Sequence, residues 1–429
     1  MRAAVLLRCT VVLLCWGVVL GEGCADGAAP PPPSEADPAE EGQSGSRVDA
    51  GSRPSRADAT VVNNPLPSDA AVRDSSAADA RIVDASASDA SAPPVVLGKP
   101  FTAPDKTWTW IDFPDSFCRD GSTAGIAVSL NSASDDLMIY LEGGGACFDS
   151  LSCLANPTTA PHGGPSANDG VFDRSNALNP VRDMNFVYVP YCSGDVHAGT
   201  NPSSMVPGVA GTQKFVGRLN IEAFLKRVVP TFPNAKKVVL TGISAGGFGA
   251  AASAVPVQRA FPNIKIALID DSGPPLSSKY VTPCLQKTWR ELWGLDNSML
   301  ADCGSDCKNK DDFLLDFALH LAATYSDRKA GLLESAQDGI ISGFFGAGMN
   351  NCTGIVLLTP IPGDQYQQGL VEFRDAVKAY PNFATFYPPG TQHTWLGGAS
   401  FYTLTVGGTK LVDWVSNIIA DKPIQNVGP

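Results

Sequence analysis

The chain has 429 residues, 44% of them hydrophobic, with a formal charge of −12 and a pI near 4.8. That length fills one large domain or two ordinary ones. The acidic balance excludes the usual designs for binding nucleic acid, whose phosphates recruit Lys and Arg, and for adhering to anionic membrane surfaces.

Residues 1–23 read as an export signal, with Arg2 and Arg8 at the positive end and Val11–Leu20 as the apolar core. That core is too short for a comfortable membrane span. The stretch Leu20-Gly21-Glu22-Gly23-Cys24 resembles a bacterial lipoprotein cleavage site, which would leave Cys24 as a lipidated first residue. The alternative is ordinary signal cleavage and a secreted protein. Residues 24–96 are rich in Ala, Asp, Ser and Pro and carry no aromatic residue. Twelve acidic residues and five arginines between Ala25 and Ser91 give a net charge of −7 there. Such a segment cannot bury enough surface to offset its ordering entropy, so a disordered tether is expected, holding the domain of residues 97–429 away from any membrane.

Of the eleven cysteines, Cys9 and Cys15 belong to the export signal and Cys24 is the lipidation candidate. The remaining Cys118, Cys147, Cys153, Cys192, Cys284, Cys303, Cys307 and Cys352 are even in number, as a disulfide-bonded exported domain requires. Their pairing is left open by the spacing. Cys303 and Cys307 have no histidine beside them, so no metal is expected.

Aromatic residues appear from Phe101 onward, and the pattern becomes globular. Asp136–Leu141 reads as a buried strand ending at Glu142-Gly143-Gly144-Gly145, and Asn185–Pro190 as a second. Asn220–Val229 has helical spacing. Lys236–Thr241 is a strand leading into Gly242-Ile243-Ser244-Ala245-Gly246 and a helix of small residues. Ile264–Ile269 is a strand followed by Asp270-Asp271-Ser272-Gly273. Asp311–Ala323 and Gln365–Tyr380 read as helices, Lys329–Ser335 and Asn382–Tyr387 as strands, and Lys410–Ala420 as a closing helix. Apolar strands alternating with amphipathic helices predict an α/β fold, a mostly parallel sheet with helices on both faces, and its sites at the carboxyl ends of strands.

The G-x-S-x-G pattern at Gly242–Gly246 suits a tight strand-to-helix turn that lifts a nucleophilic serine, Ser244, off the sheet. Serine needs a base, and only His162, His197, His320 and His393 are available. In this architecture the order is serine, acid, histidine, which selects His393. Between them Asp338 and Glu334 are the candidate acids; Asp338 follows the strand beside a glycine and is preferred. Asp270 and Asp271 follow the strand next to the serine and are read as caps of the Ser272-Gly273 turn. An oxyanion hole needs converging amides, supplied by Ala245 and by the Gly143–Gly145 loop.

Together, Leu141–Cys147, Tyr191–Val196, Gly242–Gly247, Ala336–Asp338 and Gln392-His393 resemble the pectin acetylesterase/Notum family of serine esterases. The resemblance covers about residues 105 to 420. It implies an α/β-hydrolase fold and extracellular ester hydrolysis without metal or cofactor. It also implies Ser244, Asp338 and His393 as the triad, with Gly144 and Ala245 at the oxyanion hole. Plant members of the family carry Trp where this chain has Ala146, which implies a wider cleft. The Tyr191–Val196 stretch is closer to the animal pattern.

The first functional expectation is an exported bacterial deacetylase acting on an esterified polysaccharide such as pectin. The second is a carboxylesterase for longer acyl chains of lipid or protein. The third is a non-catalytic binding protein on the same scaffold. The partner expected in the first two is an ester substrate, with membrane contact only through a lipid anchor; a monomer is expected.

Overall fold

The computed structural model describes residues 97–353 and 359–429, so the export signal, Cys24 and the tether lie outside the described residues. The strands are β1 (Thr109–Phe117), β2 (Thr123–Ser129), β3 (Leu137–Leu141), β4 (Asn185–Val189), β5 (Asn201–Ser204), β6 (Gln213–Phe215), β7 (Val238–Ile243), β8 (Ile266–Asp271), β9 (Ala330–Leu333), β10 (Phe383–Phe386), β11 (Thr405–Val406) and β12 (Thr409–Lys410). The helices are α1 (Ser150–Ala155), α2 (Gly217–Thr231), α3 (Ala245–Ala260), α4 (Pro283–Trp293), α5 (Met299–Cys303), α6 (Leu314–Thr324), α7 (Gly339–Gly346), α8 (Gly363–Val377), α9 (Ser400–Thr403) and α10 (Leu411–Ile419).

Eight strands form one sheet in the order β1-β2-β4-β3-β7-β8-β9-β10. From β4 to β10 every neighbouring pair is parallel, whereas β1 and β2 add an antiparallel edge. Successive residues of a strand point to opposite faces, and the two cores divide accordingly. Leu137, Ile139 and Leu141 of β3, with Val238 and Leu240 of β7, enter the core that α2 and α3 share. Met138, Tyr140 and Val239 enter the opposite core, against Trp414, Val415 and Ile418 of α10. The expected mostly parallel sheet, covered on both faces, is therefore the observed one.

Most element ends differ from the sequence reading by a few residues, and those nearest the site do so for identifiable reasons. β7 runs on through Gly242 and Ile243, and β8 through Asp270 and Asp271, because Gly242 pairs with Asp270 and Ile243 with Asp271 in the parallel ladder. A glycine and two carboxylates read as the end of a strand, yet both aspartates are buried strand residues. β9 ends at Leu333, so Glu334 lies just beyond it. Two strands of the large sheet are absent from the sequence reading: β1, at the sheet edge, mixes polar with apolar residues, and β2 is built largely of small residues, so neither gives a strong apolar run.

All eight cysteines of the domain are paired, as Cys118–Cys192, Cys147–Cys153, Cys284–Cys352 and Cys303–Cys307. Such bridges fit a chain matured in an oxidising, extracytoplasmic compartment. At the β10 edge, the Val427 amide donates to the Thr385 carbonyl (2.8 Å) and accepts, through its own carbonyl, the Tyr387 amide (2.9 Å). The Arg374 guanidinium holds the carbonyls of Val427 and Gly428 at 2.8 and 2.9 Å.

Candidate active site

The turn between β7 and α3 places Ser244 in a left-handed conformation, φ 56° and ψ −124°. A non-glycine residue adopts this only when its surroundings impose it. Here the Ser244 amide donates to the Asp271 carbonyl at 2.7 Å, and the Ser244 carbonyl accepts from Gly247 N at 2.8 Å. Gly246 is required because α3 starts hard against β3; a β-carbon there would lie 2.0 Å from the Leu141 carbonyl oxygen.

The glycine loop leaves β3 beside this turn. Among the described residues, neither the amide of Gly144 nor that of Ala245 donates a hydrogen bond, the condition that a pair of oxyanion donors has to meet. Several groups fix the loop from behind. Asn156 Nδ2 donates to the Gly144 carbonyl (2.8 Å), and the Cys147 amide donates to Gly194 O (2.8 Å). Glu142 accepts the Tyr191 amide on Oε2 (2.9 Å), and burial pushes its carboxyl pKa up. His197 Nε2 lies 2.9 Å from the Glu142 carbonyl. That carbonyl can only accept, so Nε2 is the protonated nitrogen. Burial lowers the His197 pKa to about 4, which keeps the ring neutral near pH 7. The stretch from Tyr191 to Val196 is thus a brace. Cys192 bridges to Cys118, and Asp195 caps α2 by accepting Gly217 N at 2.7 Å.

The loops that carry Asp338 and His393 continue β9 and β10 side by side. Glu334 N donates to Phe386 O (3.0 Å), Ala336 N to Pro388 O (2.8 Å) and Gln337 N to Gly390 O (3.0 Å). Ser335 Oγ donates to the Gln392 carbonyl (2.5 Å) and accepts from Trp395 Nε1 (3.0 Å). This zipper brings Asp338 Oδ2 to 2.7 Å from His393 Nδ1. Asp338 is fully buried, and its other oxygen accepts the amides of Ile340 and Ile341 at the start of α7. With an ionised carboxylate as its partner, Nδ1 carries the proton and Nε2 is free to accept one. Of the two sequence candidates for the acid, Asp338 is therefore the one bonded to the histidine. Glu334 is buried nearby beside Asp338 and Tyr366, and burial together with Asp338 holds its pKa well above the usual carboxylate range.

Ser244 and His393 have no hydrogen bond between them in this structure. They are connected through Asp271, whose carbonyl receives the Ser244 amide and whose Oδ2 receives the amides of Trp395 (2.7 Å) and Leu396 (2.8 Å). Sequence reasoning took Asp271 for a turn cap. It does accept Ser272 Oγ at 3.0 Å, but its main contacts are to the His393 loop, more than a hundred residues away in the chain, where no local pattern could reveal them. The other histidines lie elsewhere: His162 stacks on Trp110 at 4.7 Å, and His320 on α6 pairs with Asp306 at 2.8 Å.

Ser244 and Ala245 line an apolar pocket of about 80 Å³. Its walls include Ala146, Trp289, Trp293, Phe313, Phe317 and Phe344, with Asp270 as the single ionisable wall residue. Ala146, at the position where plant sequences were expected to carry Trp, opens onto this space. Among the described residues no group of three or more His, Cys, Asp or Glu is arranged to hold a metal ion.

A family model described as Pectinacetylesterase matches residues 108–317. The palmitoleoyl-protein carboxylesterase notum1′ of Xenopus laevis is 30% identical over 179 residues, 38% of this chain and 35% of that protein. NOTUM of Drosophila melanogaster, also a palmitoleoyl-protein carboxylesterase, is 27% identical over 205 residues, 43% of this chain and 30% of that protein. The matched stretch thus spans about a third of these relatives' length. Among solved structures, the Wnt deacylase Notum from Drosophila superposes with a TM-score of 0.58 at 18% identity, over 74% of this chain and 95% of that one. That likeness is one of fold, and it is the α/β-hydrolase-like fold derived above. The matched motifs and the shared fold together support the resemblance of this chain to the pectin acetylesterase/Notum family.

Proposed function

We propose that this protein is an extracytoplasmic serine carboxylesterase that cleaves esters of long, apolar acyl groups through an acyl-enzyme. His393 Nε2 takes the proton of Ser244 Oγ, which attacks the ester carbonyl. The resulting oxyanion is held by the amides of Gly144 and Ala245. The C–O bond of the ester breaks, His393 returns the proton to the departing alcohol, and a water deprotonated by His393 then releases the carboxylic acid. Asp338 keeps the imidazole in the required tautomer. The missing Ser244–His393 bond is compatible with this scheme, since catalytic hydrogen bonds often tighten only when substrate is bound.

The observation that carries the acyl-length reading is the apolar pocket in whose wall Ser244 sits. An acetyl group offers it one methyl, whereas each further buried methylene contributes about 0.8 kcal/mol. The shorter-chain reading, removal of acetyl from a polysaccharide, is supported by the description of the matching family, Pectinacetylesterase. A series of p-nitrophenyl esters from acetate to palmitate, with acetate release from acetylated pectin and xylan beside it, separates them. Rising kcat/KM with chain length supports the long-acyl reading; a maximum at acetate with release from the polysaccharides rejects it. Absence of both turnover and fluorophosphonate labelling would favour a non-catalytic binding protein. The proposal includes export, and the mass of the mature N-terminus decides between a lipid on Cys24 and ordinary cleavage.

A further inference from the structure

Asp271 is the last residue of β8, completely buried, and takes no part in the proton transfers just described. Yet it touches both halves of the site. Its backbone carbonyl accepts the amide of Ser244, and its side chain accepts two consecutive amides of the loop that carries His393. Both of those bonds end on one oxygen, Oδ2, so a single carboxylate atom sets the position of the Trp395 and Leu396 peptides. His393 stands two residues before Trp395, and Thr394 between them has a left-handed φ of 65°. The loop therefore follows an unfavourable local path held by long-range contacts. Charge-assisted bonds from a carboxylate to backbone amides are about twice as strong as neutral ones.

We propose that Asp271 is a positioning residue that fixes the His393 loop in register with Ser244. The inference rests on the esterase reading and deepens it. Through this one side chain, the strand that sets the nucleophile's backbone also sets the loop bearing the base. Asp338 orients the ring by its Nδ1; Asp271 places the backbone from which that ring projects. An error of about 1 Å in that placement can cost on the order of 100-fold in rate.

The clamp also carries a pH dependence. Burial raises the Asp271 carboxyl to about 6, while its amide partners, Ser272 and the nearby His393 pull it down. The ionisable groups facing it are Asp270 on its own strand, Tyr140 from β3, Glu334 beyond β9 and His393 from the clamped loop. Above pH 6 the carboxylate accepts both amides at full strength. Below it the neutral acid accepts weakly, and the loop loosens. The acid limb of kcat/KM should then fall more steeply than one proton allows.

The test uses the mature full chain with Asp271→Ala and Asp271→Asn. Asparagine can place its oxygen where Oδ2 lies and so keep both amides bonded without the charge. Expected for Asp271→Ala is a kcat lower by at least about 100-fold with KM changed by less than about threefold. Asp271→Asn should recover most of that loss and reduce the acid limb to a single proton. Its His393 imidazole, followed by NMR among only four histidines, should titrate at lower pH because a nearby negative charge is gone. An Asp271→Ala enzyme within threefold of the parent overturns the proposal. If the alanine variant does not fold, Asp271→Asn decides: an unchanged acid limb and unchanged His393 titration overturn it equally. A parent chain that neither hydrolyses p-nitrophenyl esters nor takes a fluorophosphonate overturns the esterase reading instead, and the His393 titration still reads the clamp without turnover.

Discussion

Gly143 lies directly against Ser244: a β-carbon at 143 would sit 2.9 Å from Ser244 Cβ and 2.6 Å from the Ile243 carbonyl oxygen. The glycine loop and the serine turn are thus in contact as well as adjacent, and neither can shift alone. Gly143→Ala should push them apart, costing about 1–3 kcal/mol of stability by overpacking and at least about 100-fold in kcat/KM through the displaced amides. Thermal melting and ester hydrolysis measured on the same preparation check both numbers. Activity retained within threefold would mean that the loop does not serve the reaction.

The proposed roles of Ser244 and Asp338 give different signatures. Ser244→Ala removes the nucleophile without disturbing packing, so turnover should fall by roughly 1000-fold or more while the melting temperature stays close to the parent's. Fluorophosphonate labelling should vanish. Asp338→Asn should lose comparable activity but also some stability, because Asp338 accepts both His393 and two amides of α7. Labelling of Ser244→Ala at the parental rate would place the nucleophile elsewhere.

Ala146 tests the acyl pocket. It lines the same space as Ser244, and a larger side chain there shortens the room for an acyl tail. Ala146→Trp should lower kcat/KM for long-chain p-nitrophenyl esters by about 10-fold or more and change acetate hydrolysis by less than about threefold. An equal loss on all chain lengths would show that the acyl group does not occupy this pocket.

His197 gives a prediction about acid stability. Its folded pKa, about 4, lies below its ordinary 6.5, so the unfolded chain binds the proton first as pH falls. The stabilisation from keeping this ring neutral and buried is complete above pH 6.5 and is lost as pH drops towards 4, on the order of 3 kcal/mol in all. His197→Gln keeps a donor for the Glu142 carbonyl and does not titrate. Its stability relative to the parent should therefore improve across that window in denaturant titrations at pH 7, 5.5 and 4. A constant difference at all three would refute the assignment.

Much of this site was legible because its signals are local. Glycine spacing around Ser244, the run Gly143–Gly145 after an apolar strand, and the order of Ser244, Asp338 and His393 are all fixed by backbone geometry at strand ends. What stayed hidden was long-range. Asp271 looked like a turn residue because two adjacent aspartates rarely lie inside a buried ladder. His197 sat in a glycine-containing loop with nothing to show that its ring would turn inward onto Glu142. The pocket was invisible because Trp289, Trp293, Phe313 and Phe317 come from segments that read only as apolar, and their convergence depends on how α4 and α6 pack.

The tail that lines the open side of β10 has a practical bearing on how the protein is handled. Val427 bonds to the main chain on either side of Phe386, and Arg374 ties down the carbonyls that follow. Trimming those last few residues would uncover a row of unpaired amides and carbonyls, the kind of border along which separate molecules stick together.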